Sequence, residues 1–581
     1  MKILKYIIPT SLSLSILLLS GCDNDEFLTE VNPNAITSDI FWETESDAEA
    51  ALTAVYAALQ FQSISGGDMQ YEIAKSDLGG TNDWTRHFSY TEFNVADNAD
   101  PVLQKWSELY IGVYRANQVI NNLPDMNNLD EDLKNRMIAE ARFLRAFFYF
   151  ELVHTFGKAI LTTSSSGKAE DINVGLSTIQ QVTDSVIVPD LTFARLHLPK
   201  RSEIADSELG RVALGAATTL LGKVHLYGKD WAKASDLFLE VINSGEYQLV
   251  SDPMDNFSHD VVYNSEAIME VPFDGSINPG TANSHYVDDN TYNSGGESTS
   301  SARWFAPYSL GGWQVVMPTY WLHELMTADS VGGSTNHSSR YTLSIAGRDA
   351  EGLYYGETAA TRKSLVPRLW TFGESAYVNK YTNWYHLDVE SNEWRSSINF
   401  KHMRLADVYL MYAEAVLERD GEAGVPTAIE YIDYVRARAG VVTLQQYIDA
   451  NGTIPQLHVS QDLYGARPEV SPVADNVMTH IRMVERPTEL CYENLRWKDL
   501  VRWGIVKEVF TSHHDDEEVR NALKSAENTN DPSTLLVNRP PLYIEQRVRP
   551  DFVNNYAFYD SERHDYYPVP SVEIQNNEAL K

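Results

Sequence analysis

The chain has 581 residues but only two cysteines, Cys22 and Cys491. Cys22 ends a leader segment, so no disulfide framework is available to a mature chain and folding must rest on packing. Basic residues are scarce: 46 Lys and Arg stand against 81 Asp and Glu, a formal net charge of −35. Nucleic acid is a poor partner for such a surface, because phosphate binding needs a basic patch. Beyond the leader, no stretch reaches 18 apolar residues, so no membrane-spanning helix is expected. Nucleotide and hydrolase signatures are missing too: no GxGxxG, no Walker A sequence, no GxSxG elbow.

Partial motifs fail on chemical grounds. "HELMT" at 323–327 opens like a zinc-protease helix, but Thr327 stands where the second histidine is needed. "HHDDEE" at 513–518 reads as a solvated acidic face. "ADNAD" around Asp97 lacks the glycine of a calcium loop. No carboxylate pair stands out as a glycosidase pair. No cofactor or metal is implied, and nothing points to an enzyme.

What is present begins at the leader. Lys2 and Lys5 precede an apolar run over residues 7–19, too short to span a bilayer. The run ends in Leu19-Ser20-Gly21-Cys22, which resembles the bacterial lipoprotein box. Residues 1–21 are expected to be a signal peptide and Cys22 the lipidated residue, followed by a lead-in over 22–45. "DNDE" behind Cys22 resembles a surface-export signal of Bacteroidetes, although a plain solvated linker looks the same. Removing the leader leaves 44 basic and 81 acidic residues, a net charge of −37. One anchor on an otherwise soluble chain means tethering, not spanning.

Residues 46–581 are expected to form one domain. Ala48, Ala51, Leu52, Val55, Tyr56 and Leu59 recur at helical spacing, with Ser46 and Glu49 as a capping box. A second helix is expected to stop before Pro124. A third covers "LKNRMIAEARFLRAFFYFELVHTFG", with Ala141, Leu144, Phe148 and Leu152 as its stripe. In "TTLLGKVHLYGKDWAKASDLFLEVI", Gly222, Ala234 and Phe238 have the spacing of a tetratricopeptide helix pair, and Tyr412-Ala413 with Ala428 and Ile432 repeats it loosely. The fold class is therefore mainly α, with stacked helix pairs. Residues 273–400 differ: rich in Gly, Ser, Asn, Tyr and Trp, they read as an irregular, loop-rich lobe. A short strand fits "AIMEVPF".

Several segments resemble the SusD/RagB outer-membrane lipoproteins, in that family's order. They include "FLTEVNPNAITSDIFWETESDAEAALTAVYAAL", "EARFLRAFFYFELVHTFG", "NSEAIMEVPF", "RLADVYLMYAEA", "VRARAG" and, most specifically, "ERPTELCYENLRWKDLVRWG" at 485–504. The chain departs from the pattern at Lys158-Ala159-Ile160. The resemblance implies about four tetratricopeptide-like helix pairs in a right-handed scaffold carrying the variable lobe. It also implies a non-enzymatic cell-surface protein of the outer membrane that binds oligosaccharides and closes over a SusC-like TonB-dependent transporter. The RagB branch implies the alternative, an oligopeptide-binding lid. The signature stretch itself reads as structural: Leu490, Cys491, Leu495, Trp497, Leu500 and Trp503 form a core face. Glu485, Arg486, Glu489, Glu493, Arg496 and Asp499 are expected to pair between neighbouring turns.

The site is sought where large rings sit on turns. "GGTNDWTRHFSY" places Trp84 beside Asn82, Asp83 and Arg86. A flat ring covers the apolar C–H face of a sugar, while amide, carboxylate and guanidinium groups bond its hydroxyl rim. The loop's place after "KSD" resembles the family's ligand-stacking loop; an indole plugging a gap would give the same pattern. Tyr286, Tyr292, Trp304 and Trp313 in the lobe are further candidates. Trp42, Trp106, Trp231 and Trp321 are expected to pack, and Trp370, Trp384 and Trp394 are left open. The acidic balance favours a neutral polysaccharide.

Overall fold

A computed structural model describes residues 41–81, 87–166, 173–277, 297–307, 310–329, 331, 337–347, 350, 352–358, 376–387, 389–390, 395–526, 530 and 552–581. Cys22 and the leader lie outside this set.

Helix α1 spans Glu45–Ala57. Its capping box is Thr44 with Asp47, two residues before the expected Ser46 and Glu49, because Thr44 is the residue left in extended backbone. After α2 (Gln70–Lys75) and the two-residue strand β1 (Gly79–Gly80) come two long helices, α3 (Asp100–Asn122) and α4 (Glu131–Phe156). The Asp130 carboxylate caps α4 by accepting from the Asp132 and Leu133 amides, and Gly157 ends it at φ +71°, the left-handed conformation a glycine adopts without strain. Eighteen of its 26 residues are buried, and Phe143, Phe147 and Phe150 are among them, so the stripe is widened over much of the helix surface, as the sequence leads one to expect.

The scaffold continues through α5 (Val188–His197), α6 (Leu214–Tyr227) and α7 (Trp231–Asn243). Each helix packs on the next from α3 to α7. Gly222 explains how α6 and α7 approach: a methyl at that position would lie 2.7 Å from the Phe238 ring. Helix α7 then rests directly on α10 (Leu405–Asp420), which packs on α11 (Val425–Ala439). Ala413, Ala428 and Ile432 are buried at that last contact, as their spacing predicts.

Between α7 and α10 the chain leaves the stack and returns. Strand β2 (Ala267–Val271) pairs antiparallel with β6 (Phe400–Arg404), with Val271 opposite Phe400. This ribbon closes the base of the intervening segment. The segment holds α8 (Ser301–Phe305), β3 (Met317–Pro318), α9 (Tyr320–Ala328), and the pair β4 (Ile345–Gly347) with β5 (Ala376–Val378). Strand β3 pairs with β1, and a methyl on Gly79 would fall 2.6 Å from Val316, so only glycine allows this approach. The lobe is thereby stitched to the first helical region.

The signature stretch is not one helix. Helix breaks at Leu490–Leu495, where Tyr492 and Asn494 have φ of 63° and 62°, and resumes as α12 (Arg496–Trp503). Its charges mostly reach other segments instead of neighbouring turns. Glu485 pairs with Arg340 and Arg436, Glu489 with Arg404 and Arg438, Glu493 with Arg404 and Lys380, and Arg496 with Asp77. Only Arg486–Asp499 and Arg502–Asp499 close within the stretch. The break makes this possible, because it turns successive carboxylates toward separate elements. Cys491 is fully buried and free, as expected of a small apolar residue.

Helix α13 (Val506–Ser525) carries "HHDDEE". It is only partly a solvated face: His513 is buried 3.3 Å from Asp77, and buried Glu517 accepts the Phe552 amide. Asp515 and Glu518 are the exposed members.

Candidate functional site

The site is built from one tight reversal of the chain. Trp313 donates its amide to the Arg303 carbonyl (2.8 Å), Gln314 to Ala306 (3.0 Å) and Val315 to Trp304 (3.0 Å). The reversal requires two glycines. Gly311 has φ +92°, and a methyl on Gly312 would lie 2.2 Å from the Ala306 carbonyl oxygen. The result sets Trp313 against Trp304, ring centroids 4.6 Å apart and planes at 79°.

The two indoles differ in role. Trp304 is half-buried, and its N–H donates to Ser300 Oγ (2.8 Å), which donates to Gln62 Oε1 (3.0 Å); the Gly67 amide donates to the same oxygen. Gly67 is part of this seat, since a methyl there would fall 2.0 Å from Ser300 Oγ and 2.6 Å from the Trp304 ring. With its N–H committed and its edge fixed, Trp304 braces the second ring. Trp313 is 41% exposed, unusually open for so large an apolar side chain. The Arg303 guanidinium lies 4.6 Å from its centroid. Burial pushes that guanidinium down, while the Glu390 carboxylate acts against the change. Glu390 accepts from the Tyr355 hydroxyl and from Asn383 Nδ2 (3.1 Å), and burial holds its carboxyl above the usual range. An open indole face, a guanidinium and a bonded carboxyl thus meet at one place. Such a surface can stack on a flat apolar face and exchange hydrogen bonds at its rim.

Asn82, Asp83, Trp84 and Arg86 lie outside the described residues, as do Tyr286 and Tyr292. The described ends of the 82–86 segment are nonetheless fixed beside the Trp pair. Strand β1 leads into it from its pairing with β3, four residues after Trp313. The His87 ring at its far end is 5.7 Å from Trp304. Asp77, just ahead of β1, accepts from Arg496 Nε (2.8 Å) and Nη2 (2.6 Å). Burial pushes the Asp77 carboxyl up, but Arg496 more than offsets this and holds it below the usual carboxylate range. The signature arginine therefore anchors the segment that leads into the 82–86 loop.

Arg303, Glu390, Tyr355 and Asn383 escaped the sequence reading. Arg303 was readable, since it adjoins Trp304 in "SARWFAP". The other three come from distant turns with no periodic signal. Trp321 and Trp106 are buried, and Trp42 and Trp231 are half-buried against the core, so all four pack as expected; Trp384 is half-buried. Trp370 and Trp394 lie outside the described residues. His323 of "HELMT" is buried 3.0 Å from the Tyr341 hydroxyl, and among the described residues no group of three His, Cys, Asp or Glu is placed to hold a metal.

Stacked helix pairs that carry a braced aromatic platform on an inserted lobe define a helical-repeat scaffold of the tetratricopeptide-like kind. The comparisons make the class specific: the chain belongs to the SusD family, whose model matches residues 265–581. A second family model, described as "Starch-binding associating with outer membrane", matches residues 26–226. A SusD-like protein of Formosa agariphila is 27% identical over 518 residues, covering 85% of this chain and 90% of that protein. Among solved structures, a SusD superfamily protein from Bacteroides vulgatus aligns with a TM-score of 0.69 at 22% identity, over 93% of this chain and 98% of its own. A "Laminarin binding SusD-like protein" aligns with a TM-score of 0.62 at 24% identity, over 92% and 98%.

Proposed function

We propose that the protein captures a neutral glycan at the cell surface and passes it to a SusC-like TonB-dependent transporter, without catalysis. The carrying observation is Trp313, held open to solvent on a glycine-built reversal and braced by Trp304. An indole costs free energy when left in water, and a rigid seat is a reason to keep it there for a ligand. Family membership and the binding named for the laminarin-binding relative support the same reading. The net charge of −35 favours uncharged polysaccharide over polyanions. Trp84, with Asn82, Asp83 and Arg86, is the proposed second face of the platform, because His87 at the far end of its loop lies 5.7 Å from Trp304 and the strand at its near end pairs with the strand that follows Trp313. Tyr286 and Tyr292 are proposed to extend it. The tether is a lipid on Cys22, which holds the chain to the outer membrane.

Native gel retardation by laminarin, levan and yeast mannan tests this reading. Retardation by at least one of them, lost in Trp313→Ala, is expected. No retardation by any, together with calorimetric binding of a peptide mixture, would shift the assignment to the oligopeptide-binding alternative.

A further inference from the structure

A small internal cavity lies where α4, α6 and β6 meet the break in the signature stretch. Its volume is about 20 Å³. A single water needs roughly 10–15 Å³, so the space fits one water and no organic ligand. Phe147, Phe150 and Phe400 make its apolar side. A void lined by such rings alone would stay dry, so the polar side decides what it holds.

Two polar groups of the lining are short of partners. Asn494 sits at φ +62° in the break, and its buried Oδ1 accepts no hydrogen bond. Lys223, on α6, is 5% exposed, and its ammonium donates to no described residue. Its ion-pair partner, Asp407 Oδ2, is 3.8 Å away, too far for a direct hydrogen bond. That oxygen is also buried and unbonded, because Arg486 takes only Oδ1. An ammonium is among the least favourable groups to remove from water without an acceptor. Burial pushes the Lys223 ammonium below its usual range, and Asp407 acts against the change, as expected of a cation held here with too few acceptors.

The remaining polar groups are committed and their charges balance. Lys498 donates to Glu151 Oε2 (2.7 Å), and Glu493 accepts from Lys380 Nζ (2.9 Å) and Arg404 Nε (2.7 Å). Burial lowers His402 to about 3, so its ring is neutral, and its Nε2 lies 2.7 Å from Ser65 Oγ. Two ammoniums and two carboxylates around one space favour an uncharged occupant over an ion.

We propose that this cavity is a binding site for one structural water, which accepts from the Lys223 ammonium and donates to Asn494 Oδ1. A water carries both donors and acceptors, so one molecule completes both groups at once. It ties α6 of the helical stack to the signature break, where no direct side-chain bond joins them. The site is independent of the glycan reading.

A high-resolution crystal structure of the mature chain tests this, with further crystals soaked in bromide and a second structure of Lys223→Met. The expected result is one round density peak within hydrogen-bond distance of both Lys223 Nζ and Asn494 Oδ1, no bromide anomalous signal there, and loss of the peak in Lys223→Met. Lys223 bonded directly to Asn494 or Asp407 with no peak between, a peak touching only one of the two groups, a bromide signal in the cavity, or a peak unchanged in Lys223→Met would each overturn the proposal. The unsubstituted crystals decide alone if the variant does not fold.

Discussion

Trp313 and Trp321 are eight positions apart and face opposite fates. Trp321 is 4% exposed and packs in the core, so Trp321→Ala should cost about 3–5 kcal/mol in denaturant unfolding. Trp313→Ala should leave the melting temperature nearly unchanged and weaken glycan binding about three- to tenfold, the value of one stacked ring. A Trp313→Ala variant that loses stability as Trp321→Ala does would show that the ring serves packing. Gly67 offers a second check. Gly67→Ala must displace Ser300 or Trp304, so calorimetry should show weakened glycan binding although residue 67 offers no side chain to the ligand. Normal affinity would mean that Trp304 does not hold the platform. The openness of Trp313 was legible as a ring following two glycines. The bracing by Trp304 was not, because the contact depends on a reversal whose hydrogen bonds join residues 303–307 to 312–315 by geometry alone. Trp84, the strongest sequence candidate, remains a proposal carried by its neighbours.

At the scale of elements, the helix pairs were readable because small residues recur where two helices meet, as Gly222 does against Phe238. The capping of α1 was misplaced by two residues, since Thr44 and Ser46 both suit an N-cap and only the backbone decides between them. The signature stretch misled more. Its charges were expected to pair between neighbouring turns, but two residues in left-handed backbone break the helix and turn those charges toward other segments. Those charges set the acid limit of the fold. Burial works against the Glu489 carboxyl, yet Arg438 and Arg404 bring it from 4.5 down to about 2; Lys498 and Lys105 do the same for half-buried Glu151. Burial lowers His154 and His402 from 6.5 to about 3, so both are neutral in the fold. Every one of these groups takes up protons more readily when unfolded. Their stabilisation is complete above pH 6.5, declines first through the histidines and then through the carboxylates below about pH 5, and is lost near pH 2. Urea midpoints measured from pH 7 to pH 3 should fall steadily; a flat profile would contradict the pairing. Arg404→Ala leaves Glu266, Glu489 and Glu493 without a shared buried partner and should destabilise by about 3–5 kcal/mol, checked by chemical denaturation.

For the whole molecule, scaffold and site are one construction. The stack of α3 to α7, α10 and α11 makes a rigid frame, β2 and β6 close the base of the lobe, and Arg496 with Asp77 fixes the strand that leads to residues 82–86. Function then depends on where the frame is held. Cys22→Ala should move the protein from the membrane fraction to the soluble periplasmic or secreted fraction, as fractionation and blotting would reveal; unchanged membrane retention would contradict the lipid tether. Isothermal titration of the mature chain with neutral glucan, fructan and mannan oligosaccharides, beside a peptide mixture, reaches the central claim most directly. The predicted result is micromolar to millimolar binding of one glycan class, weakened by Trp313→Ala and by Trp84→Ala and abolished in the double variant. Binding of peptides alone, or glycan binding indifferent to both substitutions, would contradict the account.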